Sequence, residues 1–111
     1  MKKITKIYTV NLAATNSKGQ RYVDSVDAYL GHFLTREEAE KVKEEAPFDG
    51  DKRLDGVDTY IGTITLEGNM TLESATGYWM VNGVDENGYQ SIAKFELTDG
   101  NEFKLVAVES L

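Results

Sequence analysis

Side chains that could carry out catalysis are few in this chain. Its 111 residues contain one histidine, His32, and no cysteine. A serine nucleophile would have to use His32 as its base, yet the Gly-x-Ser-x-Gly turn typical of such nucleophiles is missing. No Gly-x-Gly-x-x-Gly run or Gly-Lys-Ser/Thr sequence provides a phosphate cradle. These features predict a protein that is not an enzyme, with His32 in a structural role.

An aspartate-rich segment is the best candidate for metal binding. Four aspartates lie between positions 49 and 58: Asp49, Asp51, Asp55 and Asp58. Carboxylate oxygens are the ligands that Ca²⁺ prefers, but the spacing is not that of an EF-hand loop. Lys52 and Arg53, which lie among the aspartates, would repel a cation. We therefore expect a solvated polar loop, with no metal and no cofactor.

The charge of the chain is unevenly distributed. The formal net charge is −7. Residues 1–34 carry five basic and two acidic side chains, whereas residues 35–58 carry five basic and nine acidic ones. Residues 59–111 carry only Lys94 and Lys104 against eight carboxylates, hence a net charge of −6. Such an acidic surface repels nucleic acid and membranes and attracts basic proteins.

The length and composition are those of one folded domain, residues 1–111. The absence of cysteine excludes disulfides and fits a reducing compartment. The basic start, Met1–Lys6, is not followed by the apolar segment of a secretory signal. No apolar run is long enough to span a membrane. We expect a cytoplasmic protein.

Apolar periodicity and turn residues predict the α+β class. Alternating apolar residues indicate strands over 4–14 and about 20–30, with Asp24 out of phase in the second. Thr35 and Glu38 form a Thr-x-x-Glu capping box for a helix that Pro47 bounds. A third strand is expected over 60–67, and a meander over 76–108. The predicted fold is an antiparallel sheet of five to six strands with a single helix packed on it, ordered ββα and then a β-meander.

Two turns fix the register of the meander. Asn87-Gly88 is typical of a two-residue hairpin turn, which would place Met80 opposite Phe95. A three-residue turn, 99–101, would place Leu97 opposite Phe103, and the apolar pattern favours it over a two-residue turn. One face of the meander would then be mixed in character. It would carry Trp79, Val81, Ile92, Val106 and Val108, with Lys94, Glu96 and Lys104 among them.

Two interpretations of this mixed face remain open. It could form a second small core with residues 1–30, or it could be a binding or self-association surface, since clustered exposed apolar groups often mark interaction sites. Trp79 is the strongest candidate contact, because tryptophan is enriched among interface hot spots. The candidate partner-binding residues are therefore Trp79, Val81, Ile92 and Val106, together with the carboxylates Glu37, Glu38, Glu44, Asp49 and Asp51.

These observations lead to two functional hypotheses. The first is a non-catalytic acidic interaction module that binds a basic protein, such as an inhibitor occupying a nucleic-acid-binding cleft in the manner of small phage-encoded anti-defence proteins. Direct binding to nucleic acid is disfavoured. The alternative is a small-ligand-binding domain with an aromatic-lined pocket built from Tyr8, Tyr22, Tyr60, Tyr78 and Trp79. A homodimer through the Trp79 face is compatible with both.

Overall fold

The computed structural model describes residues 4–15, 18, 28–49, 51–53 and 56–111. Within this part of the chain, the elements in order are β1 (Lys6–Ala14), β2 (Ala28–Phe33), α1 (Arg36–Glu45), β3 (Phe48–Asp49), β4 (Lys52–Arg53), β5 (Val57–Leu72), β6 (Trp79–Asp85), β7 (Gln90–Leu97) and β8 (Phe103–Ser110). Six strands form one sheet in the order β2-β1-β5-β6-β7-β8, and β3 pairs with β4. The α+β class is thus confirmed at the level of an antiparallel six-stranded sheet with one helix.

The chain divides into two compact units. Tyr8–Gly62 forms the helix unit, and Met1–Ile7 with Thr63–Leu111 forms the meander unit. The expectation of a single domain over 1–111 stays a prediction.

The first two strands follow the alternation seen in the sequence. The strand expected over 4–14 is confirmed as β1, which pairs with β2 in an antiparallel register. The second strand runs to Phe33, past its expected end at Leu30. Residues 20–27, with Asp24, lie outside the described residues.

Helix α1 begins and ends where its capping residues predict. Thr35 has an extended backbone, and its hydroxyl oxygen accepts a hydrogen bond of 3.3 Å from the Glu38 N–H. The same hydroxyl donates to Glu38 Oε1 at 2.8 Å. Ala39 is fully buried, and Thr59 on β5 donates its hydroxyl proton to the Lys43 carbonyl at 3.0 Å. The small side chain of Ala39 and this bond hold the helix against the strands of its unit.

The segment after the helix is more regular than its composition suggests. We expected a solvated polar loop over the aspartate-rich segment, but β3 and β4 form a short hairpin in which Phe48 pairs with Arg53 and Asp49 with Lys52. Strand β5 then continues to Leu72, so the strand end expected at residue 67 is wrong. Gly68 has a φ of 81° and lies where the register with β6 shifts. The glycine therefore accommodates a bulge inside one long strand.

The expected register between β6 and β7 is wrong by one residue. Trp79, not Met80, lies opposite Phe95. The connecting turn has three residues rather than two, because the Asp85 N–H bonds to the Tyr89 carbonyl at 2.9 Å. The Asp85 carboxylate also accepts from the N–H groups of Asn87 and Tyr89, both at 2.9 Å. Gly88 alone in this turn has a positive φ, 85°, whereas a two-residue turn of the expected type needs two such residues.

The turn between β7 and β8 has the three-residue form expected from the sequence. Leu97 lies opposite Phe103, and Asn101 takes the left-handed conformation with a φ of 58°. A bulge between Lys94 and Phe95 then shifts the pairing, so that Lys94 lies opposite Ala107 instead of Val106. Nothing in the sequence signals this second irregularity.

The core of the meander unit lies on the face that contains Phe95. Phe95 is fully buried, and Ala93, Val81 and Ile64 are nearly so. Gly83 belongs to the same face and leaves room for a neighbouring strand, since a Cβ there would lie 2.6 Å from Ile64 Cγ2. Such a distance is far inside van der Waals contact, so glycine is required by packing.

We predict that Gly83→Ala lowers the free energy of unfolding by about 1–3 kcal/mol, because Ile64 must move out of its buried position. Denaturant unfolding followed by circular dichroism measures the change. Gly100→Ala is the matched control, since the nearest atom to its Cβ is 4.0 Å away, and it should shift stability by less than about 0.5 kcal/mol. Equal effects of the two substitutions would contradict the packing described for Gly83.

Candidate functional site

The corrected register divides the candidate residues of the meander unit between two faces. The inner face is defined here by Trp79, Val81, Ala93 and Phe95, and the outer face by the residues that alternate with them. Two rows of paired residues cross strands β5 to β8 on the outer face. One row is Glu67, Asn82, Ile92 and Glu109, and the other is Thr71, Met80, Lys94 and Ala107.

Trp79 is engaged in contacts on the inner face of its own chain. Its ring meets that of Phe103 edge to face, with 5.7 Å between centroids and 72° between planes. Phe103 meets Phe95 in the same manner at 6.2 Å and 73°. Edge-to-face pairs of this kind stabilise a core beyond their buried area.

The expectation that Trp79, Val81, Ile92 and Val106 share one face is therefore wrong. Val81 is nearly fully buried, and Ile92 lies on the opposite face in the row of Glu67. Val106 is 43% exposed and lies at the β8 bulge. The physical reason is the three-residue turn, because a shift of one residue reverses the face of every side chain in a strand. Whether any of the four binds a partner stays a prediction.

A groove of about 540 Å³ lies on the outer face. Its lining includes Glu67, Thr71, Glu73, Met80, Asn82 and Ile92. Ile92 was among the candidates from sequence, as was Val81, which also contributes to the lining. Gly68-Asn69 inside an otherwise strand-like segment is the one signal that could have indicated an irregularity here.

The two lysines of residues 63–111 both lie beside glutamates. Lys94 Nζ is 3.1 Å from Glu109 Oε1, and the Lys94 side chain is only 25% exposed. Lys104 pairs in register with Glu96 on the neighbouring strand. Seven of the eight carboxylates in this segment belong to exposed residues, the exception being Asp85. The surface of this segment is therefore dominated by negative charge.

The helix unit places its candidate carboxylates in different settings. Glu37 and Glu44 are exposed and lie two turns apart on one side of α1. Glu38 is also exposed, but it bonds to Thr35 at the start of the helix. Asp51 is exposed in the turn between β3 and β4, and Asp49 pairs in register with Lys52. Basic residues lie among these carboxylates, as in the 3.0 Å pair between Arg36 Nε and Glu40 Oε1.

His32 lies on β2 of the helix unit. His32 pairs in register with Thr9, and burial lowers the pKa of its imidazole below the ordinary value, which favours the neutral form. Asn11 is 5% exposed, and its Oδ1 has no hydrogen-bond partner. Within the described part of the chain, His, Asp and Glu form no group of three or more that could hold a metal ion.

The aromatic residues proposed for a ligand pocket are divided between the two units. Tyr8 and Tyr60 belong to the helix unit, whereas Tyr78 and Trp79 belong to the meander unit. Tyr22 lies outside the described residues. The small-ligand hypothesis built on these aromatic residues stays a prediction.

Comparison of the chain with protein-family models, with curated proteins and with solved structures finds no match. No helix in the described ranges is both long and apolar enough to cross a membrane. The functional argument therefore rests on the charge and shape of the surfaces described above.

We predict that Trp79→Ala lowers the free energy of unfolding by about 2 kcal/mol, because it removes the ring that packs on Phe103. Thermal or denaturant unfolding measures this loss. Tyr89→Ala is the control, since Tyr89 is 71% exposed, and it should change stability by less than about 0.5 kcal/mol. An unchanged stability of the Trp79 variant would instead favour a ring that is free to bind a partner.

Proposed function

We propose that this protein is a non-catalytic binding module whose acidic surface engages a basic protein. In its most specific form, the proposal is an inhibitor that occupies the nucleic-acid-binding cleft of its partner. The observation that carries it is the surface of residues 63–111, where exposed carboxylates greatly outnumber lysines and both lysines lie beside glutamates.

The physical basis of the proposal is that carboxylates and nucleic-acid phosphates compete for the same lysine and arginine side chains. Clefts that bind nucleic acid present lysine and arginine to phosphates, and neutralising those phosphates supplies most of the non-specific affinity. Exposed carboxylates can neutralise the same lysines and arginines. Such binding is steered by long-range attraction and weakens as salt is added.

The carboxylates of the helix unit provide the cleanest way to test the proposal. Glu37 and Glu44 are exposed, and neither has a role in capping α1. Glu38 is unsuitable, because its substitution also disturbs the bonds with Thr35. Asp51 is an exposed turn residue and offers a second position outside the helix.

We predict that Glu37→Lys with Glu44→Lys weakens binding to the partner by at least about tenfold, because charge reversal replaces attraction with repulsion. The partner is first captured from lysate on the tagged protein and identified by mass spectrometry. Its dissociation constant for each purified variant is then measured by calorimetry.

Lys41→Glu is the matched control on the same side of α1 and should strengthen binding, since it adds negative charge. Circular dichroism confirms that each variant retains its fold. Unchanged affinity for the double Glu37/Glu44 variant, for Asp51→Lys and for Lys41→Glu would remove the helix unit from the proposed binding surface. An identified partner that carries an acidic surface would contradict the proposal as a whole.

A further inference from the structure

We propose that the groove on the outer face of the meander unit is the specific contact point of this surface, and that it binds an arginine side chain of the basic partner. The inference rests on the proposed function and adds to it the position of the site and the chemistry of the group it receives. The groove lies in a single unit and is lined by Glu67, Thr71, Glu73, Met80, Asn82 and Ile92.

The groove lies at an irregularity of β5. Glu67 lies opposite Asn82, and Thr71 lies opposite Met80. Between these two pairs, β5 contains three residues, 68–70, whereas β6 contains only Val81. The positive φ of Gly68 accommodates this departure from regular pairing. Most of the lining therefore lies on strands, and Glu73, the first residue after β5, is held by a hydrogen bond of 2.9 Å from its N–H to the Tyr78 carbonyl.

The lining combines the two properties that an arginine side chain requires. Glu67 and Glu73 are exposed carboxylates, which accept paired hydrogen bonds from a planar guanidinium. Met80 and Ile92 are half-buried apolar side chains, against which the aliphatic stem of arginine can pack. A volume of about 540 Å³ accommodates a whole side chain with part of the backbone that carries it.

The charges around the groove favour a cation over other occupants. Lys94 lies in the row of Thr71 and Met80, but its ammonium is held by Glu109 at 3.1 Å. Lys94 thus contacts a carboxylate that does not belong to the groove, and Glu67 and Glu73 supply negative charge to it. An anionic ligand would be repelled by both carboxylates, and a purely apolar ligand would have to desolvate them without compensation.

The test uses an acetylated and amidated hexa-arginine peptide as the probe. It is titrated into the isotopically labelled full chain at low salt, and amide shifts are recorded by NMR. We expect the largest shifts at the amides of Thr71, Met80, Asn82 and Ile92, which all line the groove.

Two sets of variants distinguish binding in the groove from general electrostatic attraction between the peptide and the acidic surface. Glu67→Gln with Glu73→Gln removes two charges from the groove, whereas Asp99→Asn with Glu102→Gln removes two exposed charges from the β7–β8 turn. We expect about a tenfold weakening for the first pair and less than about twofold for the second. Thr71→Tyr fills the groove without changing any charge and should also weaken binding about tenfold. Dispersed amide spectra confirm folding of each variant.

The remaining outcomes overturn the inference and distinguish it from the proposed function. Equal weakening by the two charge-removing pairs, with no effect of Thr71→Tyr, would overturn the groove as a site and leave general acidic binding in place. Shifts confined to α1 would do the same. Failure of the unmodified protein to bind the peptide at low salt would overturn both the groove and the acidic binding function.

Discussion

The turn between β6 and β7 is the constraint on which the surfaces of the meander unit depend. The Asp85 carboxylate accepts two backbone hydrogen bonds, from Asn87 and Tyr89, and thereby holds a three-residue turn. This turn places Trp79 opposite Phe95 and directs both into the aromatic core with Phe103. With a turn one residue shorter, every side chain of one strand would change face relative to the other.

This register also determines which surface is available to a partner. Because the large aromatic residues Trp79, Phe95 and Phe103 occupy the inner face, the outer face carries polar and charged groups together with half-buried apolar side chains such as Met80 and Ile92. An acidic surface with an apolar floor suits a long basic side chain better than a flat hydrophobic interface does. The composition of the core and that of the proposed binding surface thus both follow from the register between β6 and β7.

Much of the fold could be predicted where a single local signal decided the structure. The Thr35 cap defined the helix, and the apolar match of Leu97 with Phe103 selected the β7–β8 turn. Prediction failed where two signals competed, because Asn87-Gly88 favours a two-residue turn while Asp85 stabilises a longer one. The groove was not predictable, since it depends on a bulge at Gly68, just beyond the strand end that we expected at residue 67. The acidic character of the surface, in contrast, follows directly from composition.

The most direct test of the central claim is the salt dependence of binding to the identified partner. The dissociation constant is measured by calorimetry between about 50 mM and about 300 mM salt, a range over which screening of exposed charges changes strongly. Binding through the acidic surface predicts that the dissociation constant rises steeply and continuously with salt. A dissociation constant that stays constant across this range would contradict the account and indicate an interface held by apolar contacts.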